Sequence, residues 1–198
     1  IGTYDRYGHN AEPHMDVMRM HRDASYEVPD EFVDDQLLID AARRSWDEAV
    51  EYGAAHGYRN AQATVLAPTG TISFLMDCDT TGIEPDFSLV KFKKLVGGGS
   101  MQIVNQTIPR ALHKLGYTEE TIEAIVEHIA EHGHVIDAPG LRPEHYDVFD
   151  CAMGARSIEA MGHVRMMAAC QPFLSGAISK TVNLPETATV EEIEDVYL

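Results

Sequence analysis

The chain is short of positive charge, of cysteine and of long apolar runs, and each shortage excludes a class of function. Among 198 residues, 15 are Lys or Arg and 32 are Asp or Glu, which leaves a formal net charge of -17. Such a surface repels a phosphate backbone, so nucleic-acid binding is excluded as the main activity. A small anionic substrate would need local donors working against that field. Acid in excess with little Lys also suits a high-salt cytoplasm. The three cysteines, Cys78, Cys151 and Cys170, form no C-x-x-C pair, which argues against a zinc ribbon or a disulfide framework. No apolar stretch reaches the roughly 18 to 20 residues of a membrane span. The start, Ile1 to Arg6, has no basic region or apolar core, so it does not read as a signal peptide. A soluble protein of a reducing cytoplasm is expected, with no membrane partner and no metal site. A chain that starts on Ile is expected to be a piece of something longer.

A hydrophobic content of 44% and this length suffice for one domain with a sizeable core. Residues 14 to 26 read as a polar helix that Pro29 ends. Asp34 or Asp35 then caps a helix to about His56, with Leu37, Leu38, Ala41, Ala42, Trp46, Ala49, Val50 and Gly53 at helical spacing and Gly57 as its stop. Ala63–Leu66 is a short β-type run. A second strand is expected over 87–96, ended by Gly97-Gly98-Gly99. Thr118 opens an amphipathic helix carrying Ile122, Ile125, Val126 and Ile129, with Gly133 after it. Ser157 is expected to cap a helix to about Phe173, Ile178 to Leu184 is a third strand, and Thr189-Val190-Glu191-Glu192 is a capping box. Strands alternating with helices predict an α/β architecture, and the abrupt ends predict that it is incomplete.

Pro68-Thr69-Gly70-Thr71-Ile72-Ser73 follows the first strand and places three hydroxyls around a glycine. Gly70 lets the backbone approach a ligand, and consecutive amides there can form an anion-binding nest. The Lys of a P-loop is missing, so a Walker-type site does not fit. On residue types alone, an ordinary strand-to-helix turn with capping hydroxyls is the simpler reading. His128-Ile129-Ala130-Glu131-His132 has the H-x-x-E-H form of a zinc hydrolase, with both imidazoles on one helical face. No third ligand is presented, and a solvated helix face is the simpler account. Glu84, fixed in direction by Pro85, either orients a ligand or stabilises its loop. Lys91, Lys93 and Lys94 read as the solvated face of a strand. The cysteines read as inert buried thiols.

Several stretches together resemble the C-terminal part of the catalytic barrel of adenosylcobalamin-dependent (class II) ribonucleoside-diphosphate reductases: Leu66 to Phe74, Asp77 to Pro85, Val90 to Gly99 and Gly162 to Pro185. His14 to Val28 resembles the helix that precedes this region, so the likeness covers essentially the whole chain. It implies that residues 1–198 are a single partial domain, a fragment of a ten-stranded α/β barrel that reduces the ribose 2′-carbon through a thiyl radical. In that family the P-T-G-T-I turn binds the substrate diphosphate, and it corresponds to Pro68, Thr69, Gly70, Thr71 and Ile72, with Ser73 and Glu84 as possible additions. The resemblance implies adenosylcobalamin as cofactor, a ribonucleoside diphosphate as substrate, the remainder of the reductase chain as partner, and a thioredoxin-type reductant and a homodimer for the complete enzyme. The family's radical cysteine lies in an N-P-C-G-E segment that this sequence does not contain. No catalytic residue is therefore expected in this chain, and the chain alone is expected to be inactive. A class I large subunit shares the barrel and a comparable turn, and a non-catalytic binding module is a further alternative.

Overall fold

The computed structural model describes residues 2–33, 35–94, 98 and 100–198, and at Phe32, Phe74, Lys93, Lys94, Ser100, Met101 and Gln102 it describes the backbone alone. The chain divides into two compact units, one made of Ile1–Ala67 with Arg165–Ser179 and the other of Pro68–Val164 with Lys180–Leu198.

In the first unit, helix α1 (Tyr7–Glu27) packs on helix α2 (Gln36–His56). The first helix begins seven residues earlier than its polar pattern suggests and accommodates Pro13 within its second turn. Asp35 caps α2 by accepting a hydrogen bond from the Leu37 amide, and Gly57 ends it at φ 71°; Asp34 lies outside the described residues. Met15, Met18 and Ile39 are buried, whereas Leu37 and Leu38 stand 80% and 66% exposed. The helical period therefore placed those two leucines on the wrong side of the apolar stripe. A tight contact explains Gly53: a Cβ built there would lie 2.0 Å from the Tyr58 ring. That ring stacks on His14 at 4.4 Å. Arg43 bonds the Val28 carbonyl and Asp30, holding the link between the two helices.

The expected strands at 63–66 and 178–184 contract to one parallel bridge, Leu66 to Ile178. It is flanked by Leu66 N–H to Ala177 O (3.0 Å), Ser179 N–H to Leu66 O (2.9 Å) and Gly176 N–H to Thr64 O (2.9 Å). Parallel pairing of segments far apart in sequence is what a fragment of an α/β barrel leaves behind.

The second unit holds helix α3 (Gly70–Leu75), an antiparallel hairpin of β1 (Val90–Lys94) and β2 (Ser100–Val104), helix α4 (Thr107–Lys114) and helix α5 (Glu119–His132). The strand starts at Val90, not Phe87, and the glycine break falls outside the described residues at positions 97 and 99. Thr118 and Gly133 cap α5 as their residue types predict. Ile122, Ile125 and Ile129 of α5 join Leu89, Val90, Ile108, Leu112 and Phe149 in the core. Helix α6 (Ala160–Cys170) begins three residues after Ser157, which instead bridges Cys151; a 3-10 turn, Gln171–Phe173, follows. Helix α7 (Val190–Tyr197) starts at the expected capping box of Thr189 and Glu192. Among the described residues no helix is long and apolar enough to cross a membrane.

Candidate functional site

The Pro68–Ser73 segment leads into α3, and Thr69, not the glycine, carries the left-handed backbone, at φ 53°. A β-branched residue there costs on the order of 1–2 kcal/mol, so its surroundings must hold it. They do so through the side chain. The Thr69 Oγ1 lies 2.8 Å from the Pro68 carbonyl and 3.1 Å from Ser73 Oγ, and accepts from the Gly82 amide at 2.9 Å. That hydroxyl is spent on the loop rather than held out to solvent. The Ser73 amide makes the first helical bond, to Thr69 O at 2.7 Å. Amides ahead of that bond, those of Gly70, Thr71 and Ile72, have no partner within the helix. Around Gly70 a Cβ would meet nothing within 4 Å, so the backbone is open to close approach. Ile72 and Thr71 are exposed, and Ser73 is buried.

Ser73 lines a cavity of about 710 Å³ together with Cys78, Thr80, Thr81, Glu84, Asn183 and other residues of this unit. The fold thus brings Ser73 and Glu84 to one cavity, while Pro68 to Ile72 run beside it and do not line it. Its lining also includes Phe87 and Phe92, both largely exposed. This volume lies within the roughly 300–1,000 Å³ of small-molecule sites. A second cavity of about 560 Å³, walled by Met153, Ile158, Met161 and Leu184, does not include the turn.

Glu84 accepts from Lys180 Nζ at 2.7 Å and from the Thr181 amide at 2.6 Å. Burial by itself would lift the Glu84 carboxyl; the Lys180 ammonium and the Thr181 amide outweigh it and hold it below the ordinary glutamate range. Lys180, Thr181 and His163 were invisible to sequence reasoning, because a lysine in a short alternating run looks like a solvated side chain. Asp86 moves the other way: burial raises it despite the nearby Lys91. The Asn105 amide donates to it, and Lys91 approaches the same carboxylate at 3.5 Å, an ion pair without a hydrogen bond. Lys91 is thus turned onto Asp79 and Asp86 rather than standing on a purely solvated face. The Asn105 side chain is buried and also accepts from Thr107.

Cys151 is buried, and burial, then Asp86 and Asp150, push its thiol up to about 11. Cys78 departs from the expectation of a buried thiol, being exposed. The histidines of the H-x-x-E-H helix stack at 4.1 Å, and His128 Nε2 is turned to the Ile136 carbonyl at 2.9 Å. Among the described residues no group of three or more His, Cys, Asp or Glu side chains is placed to hold a metal ion. The zinc-hydrolase alternative has no geometric support.

Residues 2–198 match the family model of the ribonucleotide reductase barrel domain. A vitamin B12-dependent ribonucleotide reductase of Streptantibioticus cattleyicolor is 64% identical over 197 residues, covering 100% of this chain and 33% of the relative. One from Streptomyces coelicolor is also 64% identical, with 20% of its length covered. A vitamin B12-dependent ribonucleoside-diphosphate reductase of Mycobacterium tuberculosis is 40% identical over 140 residues, 71% of this chain and 19% of the relative. The chain spans about a fifth to a third of the length of these curated relatives.

Proposed function

This chain belongs to the ribonucleotide reductase barrel-domain family, and we propose that it is the part of a cobalamin-dependent reductase that holds the substrate's diphosphate. The observation that carries the reading is the turn itself. A loop opened by left-handed Thr69 presents the unpaired amides of Gly70, Thr71 and Ile72 over open backbone, beside a cavity that Ser73 and Glu84 share. Consecutive amides and hydroxyls are the donors that a phosphate takes when lysine is absent. In this reading Pro68, Thr69, Gly70, Thr71 and Ile72 receive the phosphates, Ser73 adds a hydroxyl, and Glu84 faces the ribose. The substrate is a ribonucleoside diphosphate, as the name of the mycobacterial relative has it.

The relatives' names specify dependence on vitamin B12, and in this reading the complete enzyme takes it as adenosylcobalamin. When bound, that cofactor supplies the radical chemistry. It is larger than the drug-sized ligands that cavities of about 300–1,000 Å³ hold, so the 710 Å³ space does not fit it. The two units are read as parts of one partial barrel domain. None of their residues is given a bond-making role, and the chain alone is expected to be inactive. The thiyl radical, the thioredoxin-type reductant and the dimer belong to the complete enzyme. Orientation of the substrate by its phosphates contributes to rate without a reacting side chain.

Replacing Thr69 and Thr71 by Val in the longest natural chain carrying this segment tests the reading. Affinity for a nucleoside diphosphate should fall by about tenfold or more, because Thr69→Val releases the loop bond from the Gly82 amide that holds the turn and Thr71→Val removes a hydroxyl donor. Unchanged affinity in the double variant would overturn it.

A further inference from the structure

Lys180 is a buried cation with every donor satisfied. Its side chain is 1% exposed. The ammonium has three hydrogens and three acceptors: Glu84 Oε2 at 2.7 Å, His163 Nδ1 at 2.8 Å and the Thr181 carbonyl at 2.6 Å. An ammonium has no lone pair to offer, so His163 must present a bare Nδ1 and carry its proton on Nε2. His163 is itself 1% exposed, and its Nε2 has no partner. Burial first, and the Lys180 charge second, keep that imidazole from protonating in its ordinary range.

The second Glu84 oxygen accepts the Thr181 amide at 2.6 Å, so one carboxylate ties the Thr80–Asp86 loop to residues 180 and 181. Two residues back in the same loop, the Gly82 amide holds Thr69 Oγ1 at 2.9 Å. His163, Lys180, Glu84, Gly82 and Thr69 form one connected path ending at the turn. Holding two loops together does not require charge; apolar groups of similar volume do it as well or better. A charge is needed for a different reason. Glu84 lines the cavity beside the turn where the proposed reading puts an anion, and a bare carboxylate so near would repel it.

We propose that Lys180 is a positioning residue of the substrate site, whose buried ammonium fixes Glu84 and, through Gly82, the Thr69 turn, while cancelling the carboxylate's charge beside the nucleotide's phosphates. This rests on the reading of the turn as a phosphate site.

The test compares affinity for a nucleoside diphosphate with affinity for the unphosphorylated nucleoside, by equilibrium dialysis on the longest natural chain carrying this segment. Amide exchange at Gly82 is followed on the same samples. In Lys180→Met the preference for the diphosphate over the nucleoside should fall about tenfold or more, nucleoside affinity should hold within about twofold, and Gly82 should exchange faster. Lys180→Arg, which keeps the cation, should retain the preference. If Lys180→Met does not fold, Lys180→Gln, which keeps a donor for Glu84 without charge, carries the same measurement and the same expectation. A preference for the diphosphate that survives loss of the cation overturns the inference. A merely structural role would weaken both ligands in parallel, and that result overturns it too. A parent protein with no preference for the diphosphate, whose Gly82 amide still responds to Lys180→Met, overturns the phosphate reading and leaves the tether standing.

Discussion

The Thr69 hydroxyl accepts the Gly82 amide across 2.9 Å, from a backbone held in the left-handed region at φ 53°. The turn is therefore clamped before any ligand arrives. Thr69→Ser keeps the acceptor and should leave unfolding free energy within about 0.5 kcal/mol. Thr69→Val leaves the Gly82 amide without it and should cost about 1–2 kcal/mol in urea titration. Equal stability of the two variants would mean that the clamp carries no energy.

Glycines 53 and 70 look alike in sequence and should behave oppositely. A Cβ at Gly53 meets the Tyr58 ring at 2.0 Å, whereas one at Gly70 meets nothing within 4 Å. Gly53→Ala should lower the melting temperature of its unit by several degrees through overpacking. Gly70→Ala should leave melting unchanged and weaken nucleoside diphosphate binding, because the methyl occupies the approach to the amides. Tight binding by Gly70→Ala would remove the turn from the ligand path.

Ile125 and Ile129 are fully buried, while Leu37 is exposed. Ile125→Ala should cost about 2–5 kcal/mol by denaturant unfolding, and Leu37→Ala should stay within about 0.5 kcal/mol. A large loss at Leu37 would show that something covers it in solution.

Acid should unfold the second unit in two stages. His163 is held neutral, so below its ordinary value of 6.5 the unfolded chain takes up a proton that the native chain refuses, and stability falls with pH. Glu84 ionises below its ordinary 4.5, so its contribution is present above that value and is lost as pH falls through the folded one. Asp86 has the opposite sign, since its raised carboxyl loses stability as pH rises past 3.8. Melting temperature against pH should flatten in the upper window for His163→Asn and in the lower window for Glu84→Gln. Parallel curves for parent and variants would contradict these protonation states.

Cys78 should react readily with an aromatic disulfide, and Cys151, its thiol near 11, should stay silent until unfolding. Because Cys78 lines the same cavity as Ser73, saturating nucleoside diphosphate should slow its labelling. Labelling unaffected by ligand would place the nucleotide elsewhere.

Local chemistry was readable where it is decided within a few residues. The caps at Asp35, Thr118 and Thr189, the stops at Gly57 and Gly133, and the isoleucine face of α5 all follow from side chains bonding or packing against their own neighbourhood. The errors share a cause, which is distant pairing. Helix α4 is the exception: Ile108, Ala111, Leu112 and Leu115 repeat at helical spacing and pack into the same core as the α5 isoleucines, a local pattern that was legible. Residues 63–66 and 178–184 look like strands, yet their ladder is limited to a single bridge by what they pair with. At the site, the turn was legible from its hydroxyls and glycine, and Glu84 from its proline. Lys180 and His163 were not, since their partners come from 17 to 96 positions away.

The parallel contact between Leu66 and Ile178 has a kinetic side. Segments such as Ala63 and Ser175, 112 positions apart, meet in the first unit, and the second unit's Pro68–Val164 stretch lies between them in the chain. Loop-closure entropy grows only slowly with length, but it must be met before any of these distant contacts forms. If Pro68–Val164 becomes compact first, it shortens the effective span to be closed. During synthesis α1 and α2 emerge early and must wait for residues 165–179 to follow. Until those residues arrive, the side of α1 that packs against Gln171–Phe173 stays uncovered and open to premature association.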